Sequence, residues 1–274
     1  MKFPKLLLPL SLLVVASAFA SAQNSVDNWL QRVSKTQAEQ PHWMTPVATV
    51  TPRLEQEFRF DSLHEVTTTG NVTNLDGGKG LELIPTRHTE LLINLPPYIL
   101  HSNPAAVDGF GDVSFTMKYR FIAGNEQHHG GYIFTAFFGG SIPTGSYKNG
   151  SAGAVVTPTL AAGKGWGKFD VQATLGSGIP VTNVNTMGRT ILSNNAFQYH
   201  VAKKLWPEFE INSTFWEGGT NDGRKQAFAT PGLIFGRYPI HKRVAIVAGA
   251  GFQIATTHFN TYNHAFVGTL RMPF

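Results

Sequence analysis

The residues of GFGDVSFTMKYRF (109–121) alternate strictly from residue 112 onward. Val113, Phe115, Met117, Tyr119 and Phe121 share one parity, while Asp112, Ser114, Thr116, Lys118 and Arg120 share the other. A period of two belongs to a β-strand, whose successive side chains point to opposite faces. The pattern recurs along the chain. Phe169, Val171, Ala173 and Leu175 oppose Asp170, Gln172 and Thr174, and Phe209, Ile211 and Phe215 oppose Glu208, Glu210, Asn212 and Thr214. In RLEQEFRFDS (53–62), Leu54, Phe58 and Phe60 oppose Arg53, Glu55, Glu57, Arg59 and Asp61. Weaker versions lie at 132–142, 156–162, 197–201, 228–238 and 244–254. The fold class is all-β.

Alternation alone does not choose a solvent, since a soluble sandwich has it too. Strand length does. Many segments run about 9 to 13 residues, against the five or six usual in globular strands, and that length suits a tilted strand crossing a bilayer. An open sheet edge in hydrocarbon leaves backbone groups unpaired, so such a sheet closes on itself. Composition agrees: 42% of the 274 residues are hydrophobic but only 14% are charged, below the roughly 25% of soluble domains. The mean hydropathy of −0.09 is then an average over an oily face and a polar one. With no cysteine, disulfide scaffolds, thiol nucleophiles and thiolate zinc sites are excluded.

Loop lengths give a second test, because outer-membrane barrels alternate short periplasmic turns with longer outer loops. Back from the C-terminus the connections read TTHFNT, PIHK, EGGTNDGRKQ, KKLWP, PVTNVNTMGRTILSNN, GKGWG and GSYKNGSAGA, long and short in turn. IAGNEQHHGG (122–131) is the exception, a periplasmic turn of medium length. At the front, 53–62 rises, EVTTTGNVTNLDGGK is an outer loop, Gly80 to Pro85 descends, Thr89 to Leu95 rises, and PPYILHSNPAAVDG is the next outer connection. The sum is a transmembrane antiparallel β-barrel of about twelve strands, with ten to fourteen compatible because 80–85 is short and ends in proline. Trp166, Trp206, Trp216, Tyr238 and Tyr262 fall near strand ends, where an aromatic girdle would put them.

Lys2 and Lys5 precede an apolar run from Leu6 to Ala20 that ends in small residues, a secretory signal over 1–22 with cleavage before Gln23. Cleavage lowers the formal charge from +5 to +3, and the basic residues are scattered, which argues against a nucleic-acid partner. Residues 23–52 carry a helix-like patch at Val26 to Val33 and then Pro41, Pro46 and Pro52. They form an N-terminal periplasmic arm whose placement outside or inside a lumen the sequence leaves open, and 53–274 is the barrel. Location is the outer membrane of a Gram-negative cell, with its lipid as partner.

In YNHAFVGTLRMPF the last strand ends on an aromatic residue. It resembles the terminal strand that the barrel-assembly machinery recognises in bacterial barrels, with Phe266, Leu270, Met272 and Phe274 as the signal. Four further stretches, GFGDVSFTMKYRF, GGSIPTGSY (139–147), PTLAAGKGWGKFDVQATLG (158–176) and PGLIFG (231–236), resemble the outer-membrane family of the meta-pathway of phenol degradation, over about 55–274. The resemblance implies a transporter-like barrel passing aromatic or other hydrophobic compounds, and it brings no catalytic residues.

The polar parity supplies candidate lumen-lining charges: Glu57, Arg59, Asp112, Lys118, Arg120, Asp170, Glu208, Glu210 and Arg271. They suit either a polar constriction selecting solutes or salt bridges bracing the wall. The ten histidines, with His128 and His129 adjacent, show no ligand spacing, and G-x-S-x-G is absent. No metal, cofactor or enzymatic activity is expected. The function expected is passage of small hydrophobic or aromatic compounds, with a general small-solute porin or a structural or lipid-acting barrel as the alternatives.

Overall fold

The computed structural model describes residues 25–274 apart from 77–78 and 128–129. The signal peptide expected over 1–22, and His128 and His129, lie outside the described residues. The strands are β1 (Glu57–Val66), β2 (Val72–Leu75), β3 (Gly80–Leu83), β4 (Thr89–Asn94), β5 (Tyr98–His101), β6 (Gly109–Phe110), β7 (Val113–Gly124), β8 (Tyr132–Ile142), β9 (Val155–Trp166), β10 (Phe169–Pro180), β11 (Arg189–Tyr199), β12 (Leu205–Glu217), β13 (Lys225–His241), β14 (Val244–Ala255) and β15 (His264–Pro273). Each pairs antiparallel with its neighbours, and β15 returns to β1 along Glu57↔Pro273 to Val66↔His264. The sheet is therefore closed and has no edge to expose.

The fifteen strands make twelve staves. Three staves are interrupted: β2 and β3 both lie against β1, β4 and β5 pair with β3 and β2, and β6 and β7 pair with β5 and β4. The middle interruption contains Pro96 and Pro97, which have no N–H to give a ladder. Beside it, Gly111 donates to the Pro97 carbonyl at 2.8 Å. A Cβ on Gly111 would sit 2.7 Å from the Pro97 ring, so the close approach requires glycine.

These breaks correct the front-end expectation. Val72–Leu75, assigned to an outer loop, is the outer half of a stave, and so is Tyr98–His101. Ladder pairing begins at Glu57, because residues 53–56 belong to the N-terminal segment inside the barrel. Leu54, expected on the oily outer face, is fully buried against Val33 and Ile84. The loop before β11 shortens to 181–188 and carries the short helix α2 (Val184–Met187).

On β7 the two parities separate as far as Phe121, where a bulge shifts the register and turns Ile122 outward as well. Phe115, Met117, Tyr119 and Phe121 are 40 to 51% exposed, while Lys118 and Arg120 are 0% and 3% exposed. This is a soluble protein turned inside out, with apolar residues toward lipid and charges toward the lumen. Met117→Arg, which puts a charge into the lipid belt, is expected to cost about 2–4 kcal/mol. A urea titration of the heat-shifted folded band measures it, and an unchanged midpoint would remove Met117 from the membrane.

Residues 25–38 form a helix, α1, whose Val33 packs with Leu54 and Ile84 while Trp29 Nε1 donates to the Ile84 carbonyl at 2.7 Å. These contacts set α1 across the short-turn, periplasmic mouth. The C-terminal residues Phe266, Leu270 and Met272 face outward, 43 to 57% exposed, and the Phe274 N–H bonds to the Gln56 carbonyl.

Candidate functional site

The arm enters the lumen. From α1 the chain runs inward, turns, and returns to the start of β1, so that residues 40–54 form a plug in the periplasmic half of the barrel. The Gln40 amide ties the two ends of this loop, donating to the Leu54 carbonyl at 2.7 Å and accepting from the Leu54 N–H at 2.9 Å. Between those ends lie Pro41, Pro46 and Pro52. Each proline lacks an N–H that burial would have to satisfy, and together they keep the loop from becoming another strand.

Wall side chains satisfy the plug backbone. Glu208 Oε1 accepts from the Val47 N–H at 2.9 Å, and Glu210 accepts from Ala48 at 2.7 Å and Thr49 at 2.6 Å. Arginines take the carbonyls: Arg271 donates to Thr45 and to Pro46, and Arg59 donates to Pro46 and Val47. Gln172 Nε2 donates to the Met44 carbonyl at 2.9 Å, Lys118 to that of Arg53 at 3.2 Å, and Thr135 to that of Pro52 at 2.7 Å. Charged partners make these bonds stronger than neutral ones. The plug is held by its backbone, without a ladder.

One side chain explains a sequence motif. Trp43 lies on β9, where a Cβ on Gly163 or Gly165 would fall 2.5 Å and 2.8 Å from its ring. The glycines of GKGWG thus provide a flat bed for an inward indole.

The candidate charges are dispersed in role. Arg59, Arg271, Glu208 and Glu210 hold the plug, and Lys118 pairs with Glu90 at 2.9 Å, both fully buried. Arg120 reaches the Thr36 carbonyl of α1 at 2.9 Å. Asp170 accepts from Gln172 at 3.1 Å, and Glu57 is buried at the barrel's periplasmic end. Asp112 instead lies among the outer loops, where its carboxylate accepts from the Gly145 N–H and from the Ser151 N–H and hydroxyl. Glu90, Gln172 and Asn212 were not among the candidates. Glu90 shares the inward parity of its strand, and Gln172 and Asn212 carry no charge that would single them out in the sequence. Trp206 and Tyr262, expected in the girdle, face inward.

The medium-length turn 125–131 also has a reason. Glu126 accepts from the His42 backbone N–H at 2.7 Å and meets its ring Nδ1 at 3.0 Å, while Asn125 Nδ2 donates to the Ala38 carbonyl at 2.9 Å. Burial pushes the Glu126 carboxyl up, but these His42 hydrogen bonds outweigh it and hold its pKa below the usual value.

Above the plug the lumen opens into a vestibule cavity of about 460 Å³, within the usual range for ligand pockets. Val47 and Ala48 form its floor. Leu63, Val267 and Pro97 give it apolar wall, and Asp61, Asn212 and Tyr262 give it polar groups. Tyr262 is fixed by its hydroxyl donating to Gln253 at 2.7 Å and by stacking on Phe228 at 4.3 Å. Asn212 Nδ2 donates to Thr49 and Asn194, while its Oδ1 has no partner. Among the described residues no cluster of metal-binding side chains occurs.

A family model described as "Putative MetA-pathway of phenol degradation" matches residues 50–269. Among solved structures, an outer membrane channel from Pseudomonas putida F1 is similar with a TM-score of 0.56 and 15% identity, over 78% of this chain and 92% of that one. The NanC porin is similar with a TM-score of 0.54 and 6% identity, over 79% of this chain and 98% of that one. Comparison with curated proteins gives no match. At such identities the solved structures speak for the fold.

Proposed function

The chain belongs to the phenol-degradation MetA-pathway family, and on that footing we propose that this outer-membrane barrel is a conduit for small hydrophobic or aromatic compounds rather than a general pore for ions. One observation carries the reading. The periplasmic half of the lumen is closed by a loop whose backbone is bonded to the wall on all sides, while the outer half keeps a cavity of ligand size with both apolar and polar lining.

A hydrated ion meets a floor of Val47 and Ala48, whose apolar side chains offer no replacement for its water shell. A neutral ring loses little on leaving water for Leu63, Val267 and Pro97, and its polar substituent finds Asn212 or Asp61. The polar groups fix orientation, and the apolar ones favour entry. The family's name supplies the kind of compound, and the cavity supports it.

The test is uptake into liposomes. Vesicles carrying the folded protein are expected to take up a labelled phenol faster than protein-free vesicles, while planar bilayers containing it show low ion conductance. Uptake no faster than that of empty vesicles would defeat the proposal. High, unselective conductance would favour a general porin.

A further inference from the structure

Three successive short turns at the periplasmic rim carry five cations and no carboxylate. Lys168 lies between β9 and β10, Lys203 and Lys204 between β11 and β12, and Lys242 and Arg243 between β13 and β14, all five exposed. Among the described residues none of the five forms an ion pair. The carboxylates nearest in the chain are engaged elsewhere: Asp170 and Glu208 are buried in the lumen, and Glu126 of the β7–β8 turn is held by His42. The outer ends of the same staves are mixed in sign. There Arg189 faces Glu217 across the ladder, and Asp222 shares a turn with Arg224.

The outward aromatic belt ends directly against this arc. Trp166, Phe169 and Tyr199 are successive cross-strand partners on the outer face, 58%, 37% and 49% exposed. Trp166 and Phe169 stack at 6.3 Å, and the Lys204 ammonium stands 4.1 Å over the ring of Tyr238, which also faces outward. In a bilayer such rings sit at the level of the headgroups, and lysine and arginine side chains beyond them extend toward phosphate.

We propose that this arc binds anionic phospholipid of the inner leaflet, its phosphates against the five cations and its acyl chains along Trp166, Phe169 and Tyr199. A lipid meets the cations and the rings together. An acidic periplasmic protein would reach the cations and leave the rings to the bilayer. A zwitterionic headgroup answers its own phosphate with an ammonium, so the arc favours headgroups of net negative charge. The inference needs the barrel's place in the outer membrane and nothing about the solute it passes.

Native mass spectrometry reads the preference. The folded mature protein in detergent is given equal amounts of phosphatidylglycerol and phosphatidylethanolamine, and the lipid it retains is weighed. The expected result is about a fivefold excess of phosphatidylglycerol, lost in Lys168→Gln/Lys203→Gln/Lys204→Gln and kept in Arg224→Gln/Lys225→Gln at the outer end. Should the triple variant give no heat-shifted folded band, Lys203→Gln/Lys242→Gln is expected to lower the excess in its place. Equal retention of the two lipids, or an excess that survives loss of the periplasmic lysines in a folded variant, would overturn the proposal and leave the arc to an acidic protein. Displacement of phosphatidylglycerol by an equimolar amount of glycerol 3-phosphate would make the arc a site for a soluble anion and would overturn it as well.

Discussion

Replacing Glu208 and Glu210 together by alanine is expected to raise single-channel conductance in planar bilayers on the order of tenfold or more, toward that of an unplugged lumen. The two carboxylates accept the N–H groups of Val47, Ala48 and Thr49. Without them three donors stay shielded in the plug with nothing to bond, at about 1–3 kcal/mol each. Water offers the same donors full satisfaction once the loop leaves. The remaining arginine and glutamine bonds reach carbonyls, which tolerate solvent equally well. A conductance equal to that of the unmodified protein would show that the plug does not depend on these carboxylates.

The second large effect is on stability. Lys118 and Glu90 form an ion pair at 2.9 Å with both side chains fully buried. Lys118→Met removes the cation and leaves the carboxylate buried with the Glu55 N–H but no counter-ion, which is expected to cost about 3–5 kcal/mol. The same change combined with Glu90→Leu removes both charges, and most of the loss is expected to return, since a buried pair replaced by apolar groups is often near neutral. Urea titrations of the folded band compare the two. If the single and double variants agree within ~0.5 kcal/mol, the cost lies in the Lys118 stem and its bond to the Arg53 carbonyl, not in an orphaned charge.

The barrel was legible where the alternation was long. β10 as far as Leu175 and β7 as far as Phe121 carry it without a break, β12 lapses at Ser213, and buried side chains such as Lys118, Asp170 and Glu210 fall on their polar parity. The interrupted staves were legible only in part, because Pro96 and Pro97 stop the ladder halfway: Thr89–Asn94 before them reads as a strand, but the four residues Tyr98–His101 after them read as loop. Asp112 was misplaced for the same reason: it sits at such an interruption, where parity no longer reports which way a side chain points. The plug has no period to detect. Its bonds join residues as far apart as Pro46 and Arg271, 225 positions along the chain, and such pairings leave no mark on local sequence. Only the three prolines and the helix-like patch hinted that 23–52 differs from the rest.

The register of the closing seam bears on the order of assembly. Arg59 of β1 and Arg271 of β15 are direct cross-strand partners on the lumen face. Like charges facing each other across a ladder oppose its formation. Here both guanidinium groups turn to the carbonyls of Thr45, Pro46 and Val47, so the loop that blocks the channel is also a clasp that lets first and last strands meet. Without the loop Arg59 keeps its ion pair with Asp61, while Arg271 loses the Thr45 and Pro46 carbonyls at the point where the ring must join. A plug already in place at closure supplies those acceptors, so the last ladder forms at less electrostatic cost with it than without it.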